Sequence, residues 1–146
     1  MEQSAALASF HFVTTAVVNW ADQDPLQHVN HKVFLGWMES NRVAYFERIG
    51  LWSDNPTGGV GIILAAICCN YRMPLSYPDR VHIGIAVTKI GTRSIGMRQV
   101  VFSEKAYGIA ADSESTVVVY DYGQGQSCAI PEVVREALKA NRFAQE

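Results

Sequence analysis

The stretch that most restricts the fold lies between Asn30 and Ile49. It contains no proline, and only Gly36 interrupts a helix-forming composition. Gly50 follows, where helices commonly end on a left-handed residue. On a wheel at about 100° per residue, the apolar side chains from Val33 to Ile49, among them Phe34, Trp37, Met38, Tyr45 and Phe46, spread over roughly 220°. Lys32, Gly36, Glu39, Ser40 and Glu47 fill the remainder. A surface helix shows an apolar stripe of little more than about 100°. This one is expected to be covered on more than one side, as a core helix.

The segments around it read as strands. Thr14–Asn19 is short and β-branched, and a polar turn over Ala21–Gln27 containing Pro25 separates it from the helix. After a loop at Trp52–Gly59, the run Val60–Tyr71 suits a strand buried on both faces. Val81, Ile83, Ile85 and Val87 alternate onto one face. Ser94–Ser103 and Thr116–Tyr122 are β-branched and aromatic, with turn-prone stretches at Lys89–Thr92 and Tyr107–Ser115. Pro131 opens a short tail helix that presents Val133, Val134, Ala137 and Leu138. One helix followed by consecutive strands predicts an α+β chain, an antiparallel sheet curled around the long helix. Its 146 residues, without repeat or linker, make a single domain over residues 1–146.

Composition narrows the partners. Twelve Lys and Arg against fourteen Asp and Glu give a net charge of −2, which argues against nucleic acid. The charged fraction is only 18%, below the usual ~25%, and hints that a second copy covers part of the surface. The first residues carry no basic leader, and no run approaches the ~18 apolar residues of a membrane span. Cys68, Cys69 and Cys128 are odd in number, two of them adjacent, and read as buried free thiols in a reducing cytoplasm.

Polar groups concentrate where the first strand meets the helix. Asp22, Asp24, His28, Asn30 and His31 fall together beside the most apolar helix of the chain. A carboxylate near apolar surroundings is a candidate acid–base group or nucleophile, and a helix start offers free backbone N–H groups to an oxyanion. Here the chain resembles the hotdog-fold acyl-CoA thioesterases of the 4-hydroxybenzoyl-CoA thioesterase-like family. The resemblance rests on Asp22-x-Asp24-Pro25-x-x-His28-Val29-Asn30, then Phe34-Leu35-x-Trp37-x-Glu39-x-x-Arg42 and Phe46-x-x-x-Gly50-Leu51. It continues through Tyr71-Arg72-x-Pro74-Leu75, Asp79, Gly91-x-Arg93-Ser94, Val119-x-Asp121 and Ile130-Pro131.

The resemblance implies a hotdog fold, homodimers often paired into homotetramers, and active sites at the subunit interface. It implies hydrolysis of an acyl-CoA, with coenzyme A as part of the substrate and neither cofactor nor metal. Asp24 matches the catalytic carboxylate, as nucleophile or general base. The helix start at Asn30 and His31 matches the oxyanion donor. His28, Trp37, Arg93 and Ser94 are the substrate-binding candidates, Arg93-Ser94 for the phosphates of coenzyme A. Two positions depart from the family, which usually has Gly and Asn where this chain has Gln27 and His31.

Blander and competing readings stand beside these. Asp24 before Pro25 is good turn chemistry in itself. His28 and His31, with Asp24, could in principle offer three metal ligands, although no further partner is readable. Glu39 and Arg42 most simply form an i,i+3 pair. Gly58-Gly59-x-Gly61 has no following Lys and is not a phosphate loop; it reads as a loop bordering the acyl pocket. Asp22-x-Asp24-Pro25 with His28 loosely echoes hotdog enoyl-thioester hydratases and dehydratases. Gln27 in place of Gly leaves room for a non-catalytic acyl-CoA binding module.

Overall fold

A computed structural model describes residues 5–51 and 59–141. The elements run β1 (Phe12–Val17), α1 (His31–Arg48), β2 (Val60–Tyr71), β3 (Arg80–Ile90), β4 (Ser94–Ser103), β5 (Gly108–Asp121), β6 (Gln126–Ser127) and α2 (Glu132–Ala140). The strands form one antiparallel sheet in the order β1-β3-β4-β5-β2, with the short β6 added to β5. The sheet curls around α1 as a half-barrel, the hotdog arrangement.

Helix α1 starts at Asn30, whose Oδ1 accepts the N–H of Lys32 at 3.0 Å, and ends before Gly50 at φ +82°. Its inward face divides the interior into two clusters. Phe34 and Met38 pack with Val29, Leu75, Ile83 and Val101 near the start of the helix. Tyr45 and Phe46 pack with Ile85, Ile95, Met97 and Val119 near its end, where Val134 and Leu138 of α2 close the core. Val81, Ile83, Ile85 and Val87 are all buried, as their alternation predicts, whereas Val133 of α2 faces outward. A third cluster lies on the outer face of the sheet. There Phe10 sits so close to Gly84 that a Cβ would meet its ring at 2.8 Å.

Five expectations change. The first strand runs two residues earlier than expected, and the stretch Tyr107–Ser115 is not a turn. From Gly108 it belongs to β5, whose inward residues Ala111, Ser113 and Ser115 are too small or polar to signal a strand. β2 is an edge strand, and in the single chain Ile63 and Leu64 are each 40% exposed instead of buried on both faces. Cys68 is likewise exposed, while Cys69 and Cys128 are half-buried and all three are free. Finally, Glu39 and Arg42 are no surface pair. Glu39 is exposed, but Arg42 turns inward, where its Nη1 donates to Gln99 Oε1 at 3.3 Å. Gln99 in turn donates to Met38 O and Asn41 Oδ1, both at 2.8 Å. Most of the loop Trp52–Gly59, with Gly58, lies outside the described residues.

Candidate active site

The segment from Trp20 to Asn30 is folded by its own polar groups. A single helical turn, Trp20–Asp22, is fixed by Asp22 Oδ2 accepting the N–H of Asn19 at 2.8 Å. The Asp24 N–H donates to His28 O and the Gln27 N–H to Asp24 O, each at 2.9 Å, closing a tight turn. Gln27 takes φ +64° in that turn, the left-handed region in which glycine is least strained. The glycine usual at this position in the family thus has a backbone reason. Asn30 N–H to Asp22 O (2.9 Å) and Val29 N–H to Leu75 O (2.8 Å) then lock the loop to the start of α1.

Asp24 is half-buried. Its Oδ1 accepts the N–H of Leu26 at 2.9 Å, and its other oxygen makes no hydrogen bond among the described residues. It lines a recess of about 550 Å³ walled by Trp20, Leu26, Gln27, His28, Ser76 and Tyr77. Trp20 and Tyr77 meet edge to face at 5.6 Å, and Gln23 Oε1 holds the Tyr77 N–H at 3.0 Å. On the other side of His28 lies a second recess of about 300 Å³, lined by His31, Phe34, Tyr71, Arg72, Met73 and Pro74. His28 is the wall between the two.

The His31 N–H, first in α1, has no hydrogen-bond partner among the described residues, as expected of a helix start. Its carbonyl accepts the Tyr71 hydroxyl at 3.4 Å, and the two rings lie edge to face at 6.3 Å. Burial pushes the Tyr71 hydroxyl up to about 12, with the Cys69 thiol adding to the shift. Arg72 donates to Asp112 at 2.7 Å, which holds the Asp112 carboxyl below its usual range.

The structure thus gathers Asp24, His28, Asn30 and His31 in one corner. Trp37 is half-buried and borders the corner beside Phe34, whose ring centre lies 5.4 Å away. Arg93 and Ser94 are not brought there within one chain. They begin β4 at the opposite end of the barrel, where Arg93 Nη1 donates to Ser127 O and Oγ, both at 3.1 Å. Tyr77 also walls the site, and no local pattern in the sequence signals it, because contacts with Trp20 and Gln23, far away along the chain, bring it in. Among the described residues no three His, Cys, Asp or Glu side chains gather as a metal site, so the Asp24–His28–His31 triad does not form. No helix among them is long and apolar enough to cross a membrane.

Comparison with known proteins gives a consistent picture. No curated protein sequence matches the chain. Among solved structures, a protein from Pseudomonas aeruginosa strain PAO1 shares 23% identity at a TM-score of 0.85, over 96% of this chain and 97% of its own. A thioesterase from Thermus thermophilus, solved with coenzyme A and zinc, shares 29% identity at a TM-score of 0.78, over 89% and 98%. A DHNA-CoA thioesterase from Staphylococcus aureus shares 18% identity at 0.76, over 88% and 91%. The family model of the thioesterase-like superfamily matches residues 18–138, and the chain belongs to that superfamily.

Proposed function

We propose that the protein hydrolyses an acyl-CoA to the free acid and the coenzyme A thiol, with Asp24 as the catalytic carboxylate. The observation that carries this reading is the pairing, across His28, of a carboxylate with one uncommitted oxygen and a helix start with an uncommitted N–H. The His31 N–H would stabilise the oxyanion that forms when the thioester carbonyl is attacked. Asp24 either attacks that carbonyl itself, its acyl intermediate then being hydrolysed, or takes a proton from the water that attacks. In both routes the C–S bond breaks, the thiolate leaves and is protonated, and one water is consumed. A coenzyme A complex of the Thermus relative supports the choice of thiol.

The working unit is a homodimer. β2 leaves an apolar edge unpaired, which a second copy can cover by antiparallel pairing. Such pairing reverses the partner's strand direction. It carries the Ser94 end of one barrel towards the Tyr71 end of the other, so that Arg93 and Ser94 of the partner subunit would meet the phosphates of coenzyme A. Free thiols at Cys68, Cys69 and Cys128 suit a cytoplasmic protein.

Thiol release from a panel of acyl-CoA esters, followed with a thiol reagent, tests the reading. Asp24→Asn is expected to lose about two orders of magnitude or more, the scale of removing a general base. Equal activity in the two proteins overturns the assignment of Asp24. Tight binding of acyl-CoA without thiol release marks a binding module instead.

A further inference from the structure

Between α1 and the sheet lies a group of donors that the fold uses only in part and the hydrolysis does not use. Arg42 is 4% exposed, and its one hydrogen bond among the described residues goes to the neutral Gln99 Oε1 at 3.3 Å. No carboxylate lies within 4.0 Å of it among those residues. Gln99 offers it a neutral carbonyl oxygen and no charge, and the Gln99 amide group itself donates to Met38 O and Asn41 Oδ1. Beside it on β5, Ser113 and Ser115 are 1% and 6% exposed, and both hydroxyls are buried with no hydrogen-bond partner among the described residues. A buried guanidinium without an anion and two buried hydroxyls without partners are each unfavourable, and all of them can donate.

The strand register places this group relative to the reacting corner. Tyr71 pairs with Ala111, Cys69 with Ser113 and Ile67 with Ser115, while Gln99 pairs with Ser113 from the other side. Alternate residues share a face, and Tyr71 reaches α1 through His31 O and the Phe34 ring. The row Cys69–Ser113–Gln99 therefore lies one repeat, about 7 Å, deeper than the Tyr71 row that borders His31. That is the reach of an acyl chain of roughly four to six carbons measured from a carbonyl at the His31 N–H.

We propose that the acyl group carries a carboxylate at its far end, which Arg42 binds as counter-ion with Ser113 and Ser115 as further donors. The inference rests on the thioesterase reading and names its substrate class: a half-thioester of a short dicarboxylic acid. Charge selects the carboxylate over a hydroxyl, because the group without a directly paired anion among the described residues is a cation. Burial lowers the Arg42 pKa, and Glu39 opposes that shift only in part.

The full chain is assayed for thiol release from succinyl-, glutaryl- and adipyl-CoA beside butyryl-, valeryl- and hexanoyl-CoA, their methyl-ended counterparts. A hydroxyl-ended acyl-CoA of the same length is included. The best carboxylate-ended substrate is expected to exceed its counterpart by about tenfold or more in kcat/KM, and to exceed the hydroxyl-ended one. In Arg42→Met that ratio is expected to fall to about one, chiefly through KM, and in Ser113→Ala to fall part of the way. A wild-type ratio at or below one overturns the proposal, as does a preference for the hydroxyl-ended ester. So does a ratio unchanged in Arg42→Met, including the case where that variant loses only its dimer by light scattering and Arg42 answers to the partner subunit. Thermal unfolding checks both variants, and if Arg42→Met does not fold, an unchanged ratio in Ser113→Ala overturns the proposal. Should no ester release thiol, the thioesterase reading fails separately. Calorimetry with free glutarate and adipate against valerate and hexanoate then decides: dicarboxylate binding lost in Ser113→Ala or Arg42→Met supports the site, and equal or absent binding overturns it.

Discussion

The hydroxyl of Tyr71, last residue of β2, donates to the backbone carbonyl of His31, first residue of α1, at 3.4 Å. One bond thus ties the edge strand of the sheet to the helix start that offers the candidate oxyanion donor. Tyr71 touches no reacting atom in this arrangement and acts by positioning His31. Tyr71→Phe keeps the ring against Phe34 and removes only the bond. At this length the bond is worth about 0.5 kcal/mol, so the melting temperature should hardly move. Thiol release should fall several-fold in kcat with KM little changed, which steady-state kinetics read directly. A stability loss with unchanged kcat would make the bond merely structural.

Asn30 holds the same helix start from its other side, through the bond from Lys32 N–H to its Oδ1. Asn30→Ala is expected to cost about 1 kcal/mol in urea unfolding, the usual effect of losing an N-cap. Asn30→Asp should retain most of that stability, since a carboxylate accepts the same bond. Equal losses in both variants would mean the cap contributes nothing.

Two tyrosines set the alkaline limit. Burial pushes Tyr45 and Tyr71 up to about 12, against an ordinary value of 10.0, and Asn141 only partly offsets this at Tyr45. Between those values the native chain holds protons that the unfolded chain has lost, so stability falls as pH rises. The contribution is complete below about pH 10 and gone above about 12. Denaturant midpoints measured from pH 9 to 12 should decline in that window, and less steeply in Tyr45→Phe. A flat profile would refute the shifts.

The parts of the fold that announce themselves in the sequence are those whose burial is apolar and internal to one chain. Phe34, Met38, Tyr45 and Phe46 mark α1, and the Val81–Val87 alternation marks β3. Gly108–Ser115 hides its strand because what it turns inward is Ala111, Ser113 and Ser115. Arg42 hides its burial in the same way, since a charged residue beside Glu39 looks like a surface pair until Gln99 is found opposite it. The corner at Asp24 is legible because its groups lie within one short segment. Tyr71 and Tyr77 complete it from distant positions, and Arg93 can reach it only from another subunit. β2 misleads for a related reason: an apolar run signals burial without saying whether this chain or a copy supplies the cover.

That ambiguity yields the sharpest test of assembly. Ile63 and Leu64 lie side by side on the unpaired edge, just before the register shift that leads to Ala66. They point to opposite faces, so a covering strand would touch both. A lysine at Ile63 puts an unpaired charge into such an interface while remaining solvated in a lone chain, the device by which exposed edges avoid pairing. Light scattering is expected to give twice the chain mass for the wild type and the single mass for Ile63→Lys, with the circular dichroism unchanged. Thiol release should fall with the dimer although Asp24 is untouched, because in the proposed dimer the phosphates of coenzyme A would be met by Arg93 of the partner subunit. A wild-type monomer with full activity would remove both the interface and the shared site.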